Sequence, residues 1–121
     1  MPLDPDLIAR LAAVRTIDFT TFGRRSGQPS RIEIWWFRFE DAFVITGTPG
    51  GRDWLANVLA DQRVIVHAAG GDFTGRASAI DDAGFRRRFF ALGNAEVRWY
   101  TSQAELTRLV DEAPMIRIDL D

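Results

Sequence analysis

The chain has 121 residues, 46% of them hydrophobic and 26% charged, enough for one domain spanning 1–121 with its own apolar core. It has no cysteine and a single histidine, His67, which excludes a disulfide framework, a thiolate nucleophile and a sulfur- or histidine-rich metal site. All 15 basic residues are arginine, so lysine chemistry is excluded and anions must be met by guanidiniums, while the net charge of −2 speaks against broad nucleic-acid binding.

Asp4-Pro5 reads as a helix start, a capping residue followed by proline at the first helical position. Leu7, Ile8, Leu11 and Val14 then share one helical face. The β-branched and aromatic run Thr16 to Phe22 predicts a strand. It leads into Gly23-Arg24-Arg25-Ser26-Gly27-Gln28-Pro29-Ser30-Arg31, a glycine-bracketed loop with guanidiniums and a hydroxyl. Glycines allow backbone N–H groups to turn toward an anion, and each arginine offers a planar fork for phosphate oxygens. A solvated charged hairpin is the other reading of the same residues.

Residues 31–39 are expected to form one strand, with Arg31, Glu33, Trp35, Phe37 and Phe39 on one face and Ile32, Ile34, Trp36 and Arg38 on the other. Both faces are largely apolar and need cover on both sides, so a homodimer that pairs across this strand is expected. Glu40-Asp41 reads as a tight turn, followed by a returning strand from Phe43 to Thr48. Thr48-Pro49-Gly50-Gly51-Arg52-Asp53 is a second flexible loop, opening onto a helix from about 52 to 60 whose buried stripe is Trp54, Leu55, Val58 and Leu59. Strands over 63–69 and 72–80 follow, joined through Gly70-Gly71. Within the first of these, His67 reads as a satisfied strand-face residue with no catalytic role.

Asp81-Asp82 caps a helix in which Phe85, Phe89 and Leu92 share a face, Arg86, Arg87 and Arg88 point mostly to solvent, and Gly93 is the stop. Ser102-Gln103-Ala104-Glu105 reads as a capping box opening a last helix with Leu106, Leu109 and Val110, ended by Pro114. Met115 to Leu120 alternates as a closing strand. These elements predict a mainly β, α+β fold, a small antiparallel barrel. No stretch approaches the roughly 20 apolar residues of a membrane span, and the start lacks the basic residues of a signal peptide, so a soluble, cytoplasmic protein is expected.

Side-chain acid/base and nucleophilic catalysis are poorly supplied: there is no Gly-x-Ser-x-Gly elbow, no Walker loop and no Rossmann glycine fingerprint. Four tryptophans and nine phenylalanines supply flat apolar surface instead. Together with anion-binding loops, that surface suits an aromatic, phosphorylated cofactor whose own ring does the chemistry.

The run Phe19-Thr20-Thr21-Phe22-Gly23-Arg24-Arg25-Ser26-Gly27-Gln28-Pro29 resembles the Thr-Thr-x-Gly-Arg-Lys-Ser-Gly signature of the deazaflavin-dependent nitroreductase family, within the flavin/deazaflavin split-barrel oxidoreductases. Thr46-Gly47-Thr48-Pro49-Gly50-Gly51, then Trp54 and Asn57, resembles that family's second glycine loop and Trp-x-x-Asn-Leu helix. The resemblance covers residues 16–69. It implies a split β-barrel of the pyridoxamine phosphate oxidase-like, FMN-binding type, with about six antiparallel strands and flanking helices.

It further implies that Arg24, Arg25, Ser26 and Arg31 hold a cofactor phosphate and acidic tail, while Thr46, Thr48, Gly50, Gly51 and Trp54 line a deazaflavin ring. The cofactor implied is coenzyme F-420, with a hydride passed to a quinone-, enone- or nitro-type acceptor and no metal involved. Tyr100 is the candidate proton donor or substrate contact. The chain departs from the family pattern at Arg25, where a lysine is usual, and at Arg52-Asp53, where a His/Asn-Pro pair is usual. Two alternatives stand beside this reading: an FMN-dependent oxidoreductase on the same fold, and a non-catalytic binder of a lipophilic or aromatic ligand.

Overall fold

The computed structural model describes residues 5–11 and 14–121. Helix α1 (Pro5–Leu11) precedes strands β1 (Thr16–Phe22), β2 (Pro29–Trp35), β3 (Phe37–Phe39) and β4 (Ala42–Thr46). Helix α2 (Asp53–Ala60) and strands β5 (Arg63–Ala68) and β6 (Gly71–Ala79) follow, then α3 (Ala83–Phe90), α4 (Ala95–Gln103), α5 (Leu106–Glu112) and β7 (Met115–Leu120). Asp4 and the side chain of Ile8 lie outside the described residues, so the proposed N-cap and part of the first apolar face do as well.

Seven strands form one antiparallel sheet in the order β2-β1-β5-β6-β7-β4-β3, so β2 and β3, neighbours in sequence, stand on opposite edges. One run of chain therefore closes the curled sheet into a half-barrel. The expected single strand over 31–39 is broken at Trp36, because the backbone changes partner there: Trp35 pairs with Thr16 on β1, whereas Phe37 pairs with Val44 on β4. Trp36 holds the bend by donating its backbone N–H to Arg15 and its indole Nε1–H to Val14, with its ring stacked on Phe43 at 4.7 Å.

Alternation sorts the side chains into two apolar clusters. Inside the half-barrel lie Ile17, Phe19, Phe43, Ile45, Val64, Val66, Ile116 and Ile118, closed by Leu11 and by Trp54 and Val58 of α2. On the outer face of β3 and β4, Ala42 and Val44 pack with Phe89, Phe90, Val97, Tyr100 and Leu109 of the three C-terminal helices. Leu59, expected in the buried stripe of α2, is 67% exposed, since the helix contacts the sheet over one narrow face only.

The β3–β4 and β5–β6 turns take positive φ at their two central residues, as type I′ geometry requires. The first uses Glu40 (49°) and Asp41 (59°); the second uses Ala69 (52°) and Gly70 (76°), one residue earlier than the glycine pair suggested. Asp82 caps α3 by accepting from the N–H groups of Gly84 and Phe85. The capping box over 102–105 does not form: Ser102 and Gln103 are the last turn of α4, the Ser102 hydroxyl donates to the Trp99 carbonyl, and Glu105 precedes α5 without a side-chain cap.

Arg86 departs from its expected solvent position and is 7% exposed. Its Nε donates to the Val110 carbonyl at 2.6 Å, its Nη1 to Ile80 at 2.8 Å, and its Nη2 to Ala113 and Leu109. The guanidinium thus satisfies carbonyls at the end of α5 that the helix leaves open. Burial pushes its pKa below the usual arginine value, with Asp81 and Asp111 opposing.

Candidate functional site

Two cavities flank the first turn of α2. The smaller, about 330 Å³, is bounded by the β1–β2 loop and by Asp53 and Asn57, and brings together Arg24, Arg25, Ser26 and Ser30. The larger, about 530 Å³, lies where β2 and the end of β4 meet α4, with Ile34, Trp35, Thr46, Thr48, Arg52, Trp99 and Tyr100 among its walls.

The polar cavity is shaped by its own loop. Gly23 donates to the Gln28 carbonyl at 2.8 Å and Gly27 to that of Gly23 at 2.8 Å, with Gly27 at φ 71°, so the chain reverses tightly. The Ser26 hydroxyl accepts from the Gln28 N–H at 3.1 Å. From below, the buried Asn57 amide accepts from the Arg24 N–H and Nη1 while donating to Thr21. Arg24 Nη2 stands 3.6 Å from Asp53, whereas Arg25 is exposed with no protein anion within ion-pair distance among the described residues. Two guanidiniums and two hydroxyls form a donor set that fits a phosphate group.

The apolar cavity carries three rings set edge to face: Trp35 is 5.9 Å from Trp99 and from Tyr100, and Trp99 is 5.3 Å from Tyr100. Burial raises the Tyr100 pKa to about 12 against a lowering pull from Arg52, and among the described residues its hydroxyl has no hydrogen-bond partner. Across the cavity, Arg52 bonds the Thr48 carbonyl and hydroxyl at 3.1 and 3.0 Å, closing the 47–52 loop. Thr46 donates its hydroxyl to Pro114 at 2.6 Å, tying the end of β4 to the entry of β7.

Of the residues expected at the site, Arg24, Arg25 and Ser26 meet in the polar cavity and Thr46, Thr48 and Tyr100 in the apolar one. Arg31 lines neither, because its guanidinium is held by Asp18 at 2.8 Å on the outer sheet face. Gly50 and Gly51 are exposed outside both cavities. Trp54 turns inward and packs edge to face on Phe19 at 6.0 Å. Asp53 is the first residue of α2, and the cap position, Arg52, makes no side-chain capping bond. Unforeseen in the walls are Glu33, Trp35, Arg52 and Trp99. Asn57 was visible as part of the quoted motif, its contact with Arg24 was not. His67 is satisfied as expected, at 2.7 Å from Thr20 and 2.8 Å from Asp72. No group of potential metal ligands occurs among the described residues.

The family model for F420H(2)-dependent quinone reductases matches residues 5–111. The chain belongs to this family. It is therefore a reductase of the deazaflavin-dependent type, and the match spans both cavities. No curated protein sequence matches this quinone reductase family member.

Solved structures share its fold at low identity. A Listeria innocua protein assigned as a pyridoxamine 5′-phosphate oxidase superposes with a TM-score of 0.71 at 13% identity, covering 96% of this chain and 91% of that one. A FAD-binding protein from Mesorhizobium loti gives 0.65 at 17%, covering 98% and 91%. A third, a domain-swapped dimer, gives 0.64 at 19%, covering 87% and 80%. The half-barrel is thus a split barrel of the pyridoxamine phosphate oxidase-like type, and the expectation of about six strands becomes seven because the run over 29–39 supplies two. Among the described residues no helix is long and apolar enough to cross a membrane.

Proposed function

We propose that this quinone reductase family member binds reduced coenzyme F-420 across the first turn of α2 and passes its hydride to a quinone-, enone- or nitro-type small molecule. The observation that carries the reading is the adjacency of the two cavities: a cationic, hydroxyl-lined one on one side of Asp53 and an aromatic one on the other side of Arg52. Arg24, Arg25 and Ser26 would hold the phosphate; Trp35, Thr46 and Thr48 would bound the ring. The bound deazaflavin supplies the hydride. The chain's own contribution is orientation and exclusion of water by the Trp35, Trp99 and Tyr100 wall, with the Tyr100 hydroxyl donating a hydrogen bond or proton to an acceptor oxygen. Its pKa of about 12 keeps that proton on the phenol at neutral pH.

A second reading, FMN as the cofactor, draws support from the FAD-binding structural relative. A homodimer is proposed with the site near its seam, supported by the domain-swapped dimer of the same fold. The test is parallel fluorescence titration with coenzyme F-420 and FMN. Tighter binding of F-420 is expected; binding of FMN alone would transfer the reading to a flavin enzyme, and binding of neither would leave the ligand-binder alternative.

A further inference from the structure

We infer that Asp53 makes the arginine cavity selective by charge, admitting a phosphodiester monoanion and disfavouring a phosphomonoester dianion. This rests on the cavity being the phosphate end of the proposed cofactor site. Among its lining residues only three carry formal charge, Arg24, Arg25 and Asp53, which sum to +1. Asp53 lowers the cavity's charge from +2 to +1, and a dianion, which feels each charge twice, loses twice as much attraction from the carboxylate as a monoanion does. Three neighbouring arginines stand outside the cavity: Arg31 is committed to Asp18 at 2.8 Å, Arg63 to Asp61 at 2.6 Å, and Arg52 lines the apolar cavity with its guanidinium on Thr48.

The geometry gives the carboxylate a direct role. Arg24 is held at one end, its backbone N–H and Nη1 both bonded to the buried Asn57 oxygen at 3.2 Å, so its guanidinium cannot swing freely. Its other end, Nη2, faces Asp53 at 3.6 Å. A phosphate that approaches this edge meets the carboxylate beside the guanidinium. Asp53 is 91% exposed at its side chain and makes no capping bond for α2, so nothing else in the fold employs its oxygens. A favourable charge in the first turn of the helix is its plain structural role, and that role predicts no dependence on the ligand's charge. The phosphate that joins a deazaflavin to its acidic tail is a diester, whereas that of FMN is a monoester, so a single side chain here would separate the two cofactors.

The probes are coenzyme F-420, FMN and the methyl phosphodiester of FMN, titrated calorimetrically at pH 8, where a phosphomonoester is dianionic. The proteins are the wild type, Asp53→Asn, Asp53→Ser and, as a control of equal net charge, Asp111→Asn. One exposed carboxylate acting on one ligand charge is worth up to about fivefold in affinity, and a dianion feels it twice. Both Asp53 variants are therefore expected to tighten FMN about fivefold more than its methyl ester, with Asp111→Asn unchanged. Equal shifts for the two esters, a matching shift in Asp111→Asn, or F-420 binding with no gain of either flavin ester would overturn the inference alone. Failure of the wild type to bind any of the three probes would overturn the functional reading and this inference together.

Discussion

Asn57 accepts two hydrogen bonds from one residue, the backbone N–H and the Nη1 of Arg24, each at 3.2 Å. Its amide also donates to Thr21 at 3.1 Å, so a side chain 4% exposed spends its bonds on fixing the strand and loop beside it. Asn57→Ala would leave the Arg24 N–H and the Thr21 hydroxyl without partners, a cost of about 1–3 kcal/mol. Urea denaturation is expected to show that loss, and F-420 titration a weaker complex through a looser Arg24. An unchanged midpoint would count against the anchoring role.

Arg24→Ala and Arg25→Ala each remove a guanidinium from the polar cavity. A charged hydrogen bond is worth about 1.5–3 kcal/mol, so each is expected to weaken F-420 binding by about tenfold or more, with the residual binding less sensitive to salt. Among the described residues Arg25 makes no ion pair, so its replacement should leave the melting temperature where it was. Arg31→Ala, in contrast, is expected to leave affinity nearly unchanged, since that guanidinium serves Asp18.

Tyr100→Phe removes only the hydroxyl of a ring that lines the apolar cavity. Turnover with a quinone and reduced F-420 is expected to fall by about a hundredfold if that hydroxyl donates the proton, with F-420 affinity retained. Stability supplies an independent readout. The folded pKa of about 12 lies above the ordinary tyrosine value of 10.0, so Tyr100 supports folding fully below pH 10 and loses that contribution as pH climbs toward 12. The difference amounts to about 3 kcal/mol, which should shrink in Tyr100→Phe when alkaline unfolding is followed by circular dichroism.

Arg86→Met should destabilise the protein by about 3–5 kcal/mol, because the carbonyls of Ile80, Val110 and Ala113 would lose their donor in a buried setting. Arg86→Lys is expected to recover little, since one ammonium cannot span the positions the planar fork reaches. Thermal denaturation of both variants tests this, and a wild-type melting temperature in either would refute it.

The two loops and most strands were legible because they depend on local chemistry: glycine placement, alternation and turn residues. What escaped depends on distant partners. The break at Trp36 follows from the barrel's need for one run to serve two edges, and alternation from Glu33 through Phe37 carries no mark of it. Helix α4 escaped because Val97, Trp99 and Tyr100 read as strand formers, and only the Asn94 side chain, which caps the Val97 N–H, signals its start. Arg86 sits in a triplet that resembles a solvated face, and its burial depends on where α5 ends. Trp54 was assigned to a ring-binding role because the motif names it, whereas its helix turns it onto Phe19.

Ser30 and Ile34 stand on the same face of β2, the first in the wall of the polar cavity and the second in that of the apolar one. Four residues of strand separate them, roughly 13 Å. The strand is thus a ruler laid between the two cavities, graduated by its pairing with β1 from Thr16↔Trp35 to Phe22↔Pro29. A one-residue slip would turn the ruler over, and a two-residue slip would keep its length but set other side chains in the two walls. The hydrogen-bonded register of a single hairpin therefore decides which side chains a ligand of that length would meet at each end.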